Sequence, residues 1–116
     1  CGVVTNKPHP FAERCVRHFF PQTAFGFVAG QVEGVPLKPH PQSALAAAAH
    51  LQAAAPQCLF LGDSGVDMET ATAAGMLPFG AAWGFRPSAE LLHSGAFAVL
   101  EHPGEMLAWV DGERSP

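Results

Sequence analysis

No cluster of lysines and arginines occurs in the 116 residues, and six basic side chains face ten acidic ones, for a formal charge of −4. That balance argues against a partner such as nucleic acid or an anionic membrane surface. No apolar run approaches the ~20 residues needed to span a bilayer, and no secretory signal opens the chain. A Cys-x-x-Cys pair is absent too. Cys1, Cys15 and Cys58 are odd in number and widely spaced, which speaks against a disulfide framework or a zinc site and for reduced thiols, Cys58 in the core and Cys15 on a helix. His9, His18, His40, His50, His93 and His102 show no metal-ligand spacing; of these, His9 and His40 lie nearest the candidate loops described below. There is no initiating methionine either, and Cys1-Gly2-Val3-Val4 begins inside an apolar run, so the chain reads as part of something longer. These absences leave a cytoplasmic protein.

What is present describes one domain over residues 1–116. A chain of this size buries roughly two-thirds of its unfolded surface. With 48% hydrophobic and 14% charged residues, 11 prolines and 12 glycines, the composition is that of a compact globular domain with well-punctuated loops. Its organising stretch is Cys58-Leu59-Phe60-Leu61-Gly62-Asp63-Ser64-Gly65-Val66-Asp67. Four apolar residues closed by Gly62 fit a strand covered on both faces, as in a parallel sheet. An alanine-rich helix follows, with Met68, Ala71 and Gly75 able to share a face and Gly75 as its stop. Asp63 then stands at the strand end and Asp67 in the first helical turn, both aimed into the crevice where open α/β sheets bind ligands. A lone Asp at such a place often serves only as a helix cap. Two acids around a Ser-Gly turn also suit Mg2+, a hard cation that takes carboxylate and water oxygens.

Strands are predicted over 1–4, 25–29, 76–82 and 96–100 as well, with Pro8 expected to stop pairing of the first. Helices are predicted from Pro10 to near Pro21, with Phe11, Val16, Phe19 and Phe20 on one period, over 43–55 with Leu45, Ala48, Ala49 and Gln52 along its buried side, over 88–92 with Ser88 as its cap, and from His102-Pro103 to Val110. The tail 111–116 is expected to fray. Alternation of strands and helices implies βαβ crossovers and an α/β fold with a parallel sheet. Thr5, Lys38 and Asp63 all then fall at carboxyl ends of strands. Both lysines, Lys7 and Lys38, sit in a Lys-Pro-His-Pro tetrapeptide, and at Lys38 the prolines fix the loop just ahead of a helix.

The Gly62-Asp63-Ser64 motif, its second acid Asp67 and the alanine-rich helix ending in Gly75 strongly resemble the fourth signature of the haloacid dehalogenase (HAD) superfamily. Ala74-Gly75-Met76, Trp83-Gly84-Phe85-Arg86-Pro87 and Glu90-Leu91 resemble its phosphoglycolate-phosphatase-like branch. The strand ending in Thr5-Asn6-Lys7 is similar to the second signature and Lys38 to the third. The resemblance covers nearly the whole chain. It implies a Rossmann-like three-layer sandwich, with Thr5, Lys38 and Asp63 catalytic, Thr5, Asn6 and Lys38 holding the phosphoryl group, and Asp63 binding Mg2+ with Asp67 in support. The implied reaction is hydrolysis of a small phosphate monoester, such as phosphoglycolate, through an aspartyl-phosphate. Trp83, Phe85 and Arg86 would line the substrate rim or pack over the sheet edge.

The chain departs from the family in one respect. The first signature, an Asp-x-Asp-Gly supplying the nucleophile, occurs nowhere, and neither does the helical cap that selects substrates. In the family that strand lies between the one ending at Thr5 and the one ending at Gly62, so the sheet here is expected to be incomplete, with two unpaired edges. Three outcomes remain open: a hydrolase whose nucleophile lies outside these residues and which is inactive as 116 residues alone, a non-catalytic remnant or binding module, and a dehalogenase or phosphomutase. No family member's oligomeric state carries over.

Overall fold

The computed structural model describes residues 1–84 and 86–110. Within them strands and helices alternate: β1 (Gly2–Pro8), α1 (His9–Phe19), β2 (Phe27–Gln31), α2 (Gln42–His50), β3 (Leu59–Gly62), α3 (Gly65–Ala74), β4 (Leu77–Ala81), α4 (Ser88–His93), β5 (Ala98–Leu100) and α5 (Glu105–Val110). Every pairing among them is parallel, as the α/β reading requires. The strands form two sheets, β1–β2 and β3–β4–β5 in that order. Because among the described residues β1 pairs only with β2 and β3 only with β4, each of the two keeps an open edge there, as expected of a sheet that lacks a strand between them.

β4 is the middle strand of its sheet, and its neighbourhood is the best-buried part of the molecule: Phe79, Met68 and Leu91 are fully enclosed. Phe79, Phe97 and Trp109 form an edge-to-face trio with ring centroids 5.0 to 6.0 Å apart, which ties α5 back onto β4. A second cluster joins Ala44 and Ala48 of α2 to Ala71 and Ala74 of α3, with Met76 beside them and Phe60 and Cys58 packed against it. Methyl side chains let these helices approach closely, and α2 also packs on β1 and β2. It is the element that bridges the two sheets.

Several local expectations are corrected. The buried side of α2 is Ala44, Ala47 and Ala48, while Leu45 is exposed, since only alanine fits against α3. This helix stops at His50 instead of running to residue 55. Gln52 takes a left-handed backbone (φ 58°), Ala53 N donates to Ala48 O at 2.9 Å and Gln52 N to Ala49 O at 3.1 Å, which satisfies the last carbonyls. α3 ends by the same bonds at Gly75 (φ 73°), as predicted. On α1 only Ala12 is buried; Phe11, Phe19 and Phe20 are exposed and Val16 half-buried. β1 does not stop at Val4 but runs on through Thr5, Asn6 and Lys7 to Pro8, its last residue, which stands opposite Gln31 after a register shift, having no N–H to continue the ladder evenly. Ser88 is the first residue of α4, not its cap; Pro87 holds that position and no side chain caps the helix. β5 is shorter than predicted, at Ala98–Leu100. The tail 111–116 and Phe85 fall outside the described residues.

Candidate functional site

The site begins where β3 ends. Ser64, in an extended conformation, is the N-cap of α3, and its Oγ accepts from Asp67 N at 3.3 Å. That places Asp67 in the first turn, where the helix dipole favours a negative charge. The Asp67 carboxylate is committed on both oxygens. Oδ2 accepts from Asp63 N and from Ser64 Oγ, each at 3.1 Å, and Oδ1 accepts from Lys38 Nζ at 2.5 Å. Lys38 and Asp67 are 13% and 10% exposed at their side chains, so each charge depends on the other.

Lys38 arrives on the loop before α2, ahead of a cis peptide to Pro39. Its main chain is held by β1: Asn6 Oδ1 accepts from Lys38 N at 2.9 Å and Asn6 Nδ2 donates to Lys38 O at 3.3 Å. At Thr5 the Oγ1 accepts from Lys7 N at 3.2 Å, which leaves the hydroxyl proton to be donated elsewhere. Lys7 Nζ lies over the Phe11 ring, 5.5 Å from its centroid.

Two glycines that sequence reasoning did not single out as site residues shape the acid pair. A Cβ on Gly62 would meet Asp67 Cβ at 2.3 Å, and one on Gly84 would meet Asp63 Cβ at 2.3 Å. Each acid thus packs directly on a backbone lacking a side chain. The signal was present in Leu61-Gly62-Asp63 and Trp83-Gly84, but only contacts across the fold reveal what the missing Cβ makes room for.

Between the two sheets lies a cavity of about 560 Å³. Residues 1–4 of the β1 stretch form one wall, residues 58–62 of the β3 stretch the other, and Ala44, Ala47, Ala48 and Leu51 of α2 also line it. Lys38, Asp63, Asp67 and Trp83 line it as well. Of the predicted residues, the structure therefore brings Lys38, Asp63 and Asp67 to one cavity. Thr5 and Asn6 are not among its lining but follow directly on Val4, which is, and Asn6 is bonded to Lys38. Arg86 is not at the cavity and lies 3.7 Å from Glu90. His9 and His40 are engaged by backbone, His9 Nδ1 accepting from Gly30 N of β2 at 3.1 Å and His40 Nδ1 from the nearby Gln42 N at 3.1 Å.

For Mg2+ the fit is partial. No group of three or more His, Cys, Asp or Glu side chains able to hold a metal occurs among the described residues. The Asp63 carboxylate lines the cavity, cradled by Gly84, whereas both Asp67 oxygens are bonded within the protein. Magnesium commonly takes one or two protein carboxylates and completes its shell with water and phosphate oxygens. Asp63 suits the first role and Asp67 that of its support.

Fold and cluster together define a Rossmann-like α/β protein whose polar residues gather at the carboxyl ends of parallel strands. Residues 1–75 match the model of the haloacid dehalogenase-like hydrolases, and the chain belongs to that family. It is 38% identical over 85 residues to a phosphoglycolate phosphatase of Xanthomonas campestris pv. campestris (strain 8004), covering 73% of this chain and 38% of that one. To a phosphoglycolate phosphatase of Salmonella typhi it is 37% identical over 84 residues, 72% of this chain and 33% of that one. Among solved structures, a proposed phosphoglycolate phosphatase from Lactobacillus delbrueckii subsp. bulgaricus matches with a TM-score of 0.86 and 28% identity over 94% of this chain and 45% of its own. A HAD-superfamily hydrolase of subfamily IA from Geobacter sulfurreducens PCA matches with a TM-score of 0.75 and 27% identity, over 93% and 51% of the two chains. The chain thus spans between about a third and two-fifths of the length of these curated relatives. No helix of the described residues is long and apolar enough to cross a membrane.

Proposed function

We propose that these 116 residues form part of the catalytic core of a cytoplasmic, Mg2+-dependent phosphatase that hydrolyses a small phosphate monoester of the phosphoglycolate kind, with the nucleophilic Asp on a strand outside them. One observation carries the reading: the cavity that receives Lys38, Asp63 and Asp67 lies between the β1 and β3 stretches, each of which has an open edge. An extended apolar segment set there would bond to both edges, and a carboxylate at its far end would meet the acid and lysine cluster.

The chain's own residues then have distinct tasks. Thr5 donates its free hydroxyl proton to a phosphoryl oxygen. Lys38, a compact ammonium, offsets charge on the transferred group while Asp67 holds it in place. Asp63 offers a carboxylate to the magnesium ion, which when bound supplies charge neutralisation for the phosphoryl oxygens. Such positioning and charge stabilisation account for most catalysis of phosphoryl transfer.

The test is an assay on an aryl phosphate with Mg2+, using the 116-residue chain and the longer protein read from the frame upstream of Cys1. The short chain is expected to be inactive, and the longer one active in a manner lost on Asp63→Asn. Turnover by the short chain that Asp63→Asn abolishes overturns the external nucleophile. A longer frame without an Asp-x-Asp-Gly strand, inert with Mg2+, hands the case to a non-catalytic remnant or binding module.

A further inference from the structure

Both ends of the Asn6 amide engage one other residue, Lys38, accepting from its N–H and donating to its C=O across 32 positions of sequence. A side chain that meets both main-chain groups of a single residue copies the two-bond rung of an antiparallel strand pair. From Lys38 the bonding continues through Nζ to Asp67 Oδ1, and from Asp67 Oδ2 to Asp63 N and Ser64 Oγ. β1 and β3 belong to different sheets with no ladder between them, so this run of bonds spans the rim of the cavity from one sheet to the other.

We propose that Asn6 is a positioning residue: it clasps the main chain of Lys38 so that the ammonium stands between the cavity and Asp67, and it acts on a bound phosphoryl group only through Lys38. The ligand in this statement rests on the phosphatase reading; the clasp does not. Direct donation from Asn6 to phosphate, which resemblance to the family's second signature suggests, is the competing role. The geometry favours the clasp because the amide oxygen and one of the two amide N–H donors already engage Lys38, at 2.9 and 3.3 Å.

The chain's two lysines give an internal control. Reductive methylation followed by mass spectrometry reads the reactivity of each separately. In the native chain Lys38 should react more slowly than exposed Lys7. Asn6→Ala should speed Lys38 by roughly five- to thirtyfold, the equivalent of two lost hydrogen bonds, and leave Lys7 unchanged. Asn6→Asp, which keeps the acceptor for Lys38 N but loses the donor to Lys38 O, should fall between them and stands in if the alanine variant does not fold.

A second arm measures binding of inorganic phosphate with Mg2+ by calorimetry in the native chain, Asn6→Ala, Lys38→Met and the double variant. If Asn6 acts through Lys38, its removal weakens phosphate in the native background and changes nothing in the Lys38→Met background. An unchanged Lys38 reactivity in both Asn6 variants, or a phosphate loss that persists undiminished in Lys38→Met, overturns the proposal. A native chain that binds no phosphate while Lys38 reactivity shifts as expected supports the clasp and counts against the phosphatase reading alone.

Discussion

The two sheets are built to different standards. Around β3, β4 and β5 lie all the largest fully buried side chains, Phe79, Met68, Leu91 and Thr70. Around β1, β2 and α1 the only buried hydrophobic side chain is Ala12, and Phe19 and Phe20 are 69% and 53% exposed. A two-stranded sheet is marginal by itself in water and depends on what packs against it. Here it is held by α2, which packs on both halves, and by the Asn6 to Lys38 bonds at the rim. The difference teaches that stability and chemistry are divided: the three-stranded half carries the core, while the site is assembled only when the weaker half is brought to it.

The contrast is broken most severely at Phe79. Phe79→Ala removes a ring with no exposure from the middle strand and should cost roughly 3–5 kcal/mol, read as a lower urea midpoint. A smaller loss is expected at the join of core and site. Gly62→Ala sets a methyl group against Asp67 Cβ and should cost about 1–3 kcal/mol by overpacking, with Lys38 becoming more reactive as its partner is displaced. The smallest belongs to the weaker half. Phe19→Ser should change stability by no more than about 0.5 kcal/mol, since the ring is mostly in solvent. A cost at Phe19 comparable to that at Phe79 would erase the distinction between the halves.

Much of this was legible in the residue order. The run 58–62, the Ser-Gly turn and the alanine-rich helix located Asp63 and Asp67 because strand and helix periods differ and glycine marks their ends. The presence of β2, β4 and α5 followed in the same way, although β2 lies two residues later than expected and α5 begins at Glu105 and not at His102-Pro103. Less legible was which side of a helix faces inward. Leu45 outranks Ala44 in hydrophobicity, yet the close approach of α2 to α3 selects the smaller residue. Phe11, Phe19 and Phe20 followed a helical period on α1 and still face outward, since a period reports a shared side and not what covers it. The stop of α2 at His50 was hidden because Gln52, not glycine, adopts the left-handed turn. Invisible too was the pairing of Asn6 with Lys38, which links positions 32 apart and leaves no mark in either local stretch.

The three bonds onto Asp67 have a consequence for how mutants at this position are interpreted. A carboxylate that receives three donors from two separate stretches of chain, the Lys38 loop and the Asp63-Ser64 turn, works as a fastener, so an inert Asp67 variant would report collapsed scaffolding as readily as a lost ligand. Asp63 is the cleaner probe of the proposed magnesium site, because its side chain carries no such fixings among the described residues.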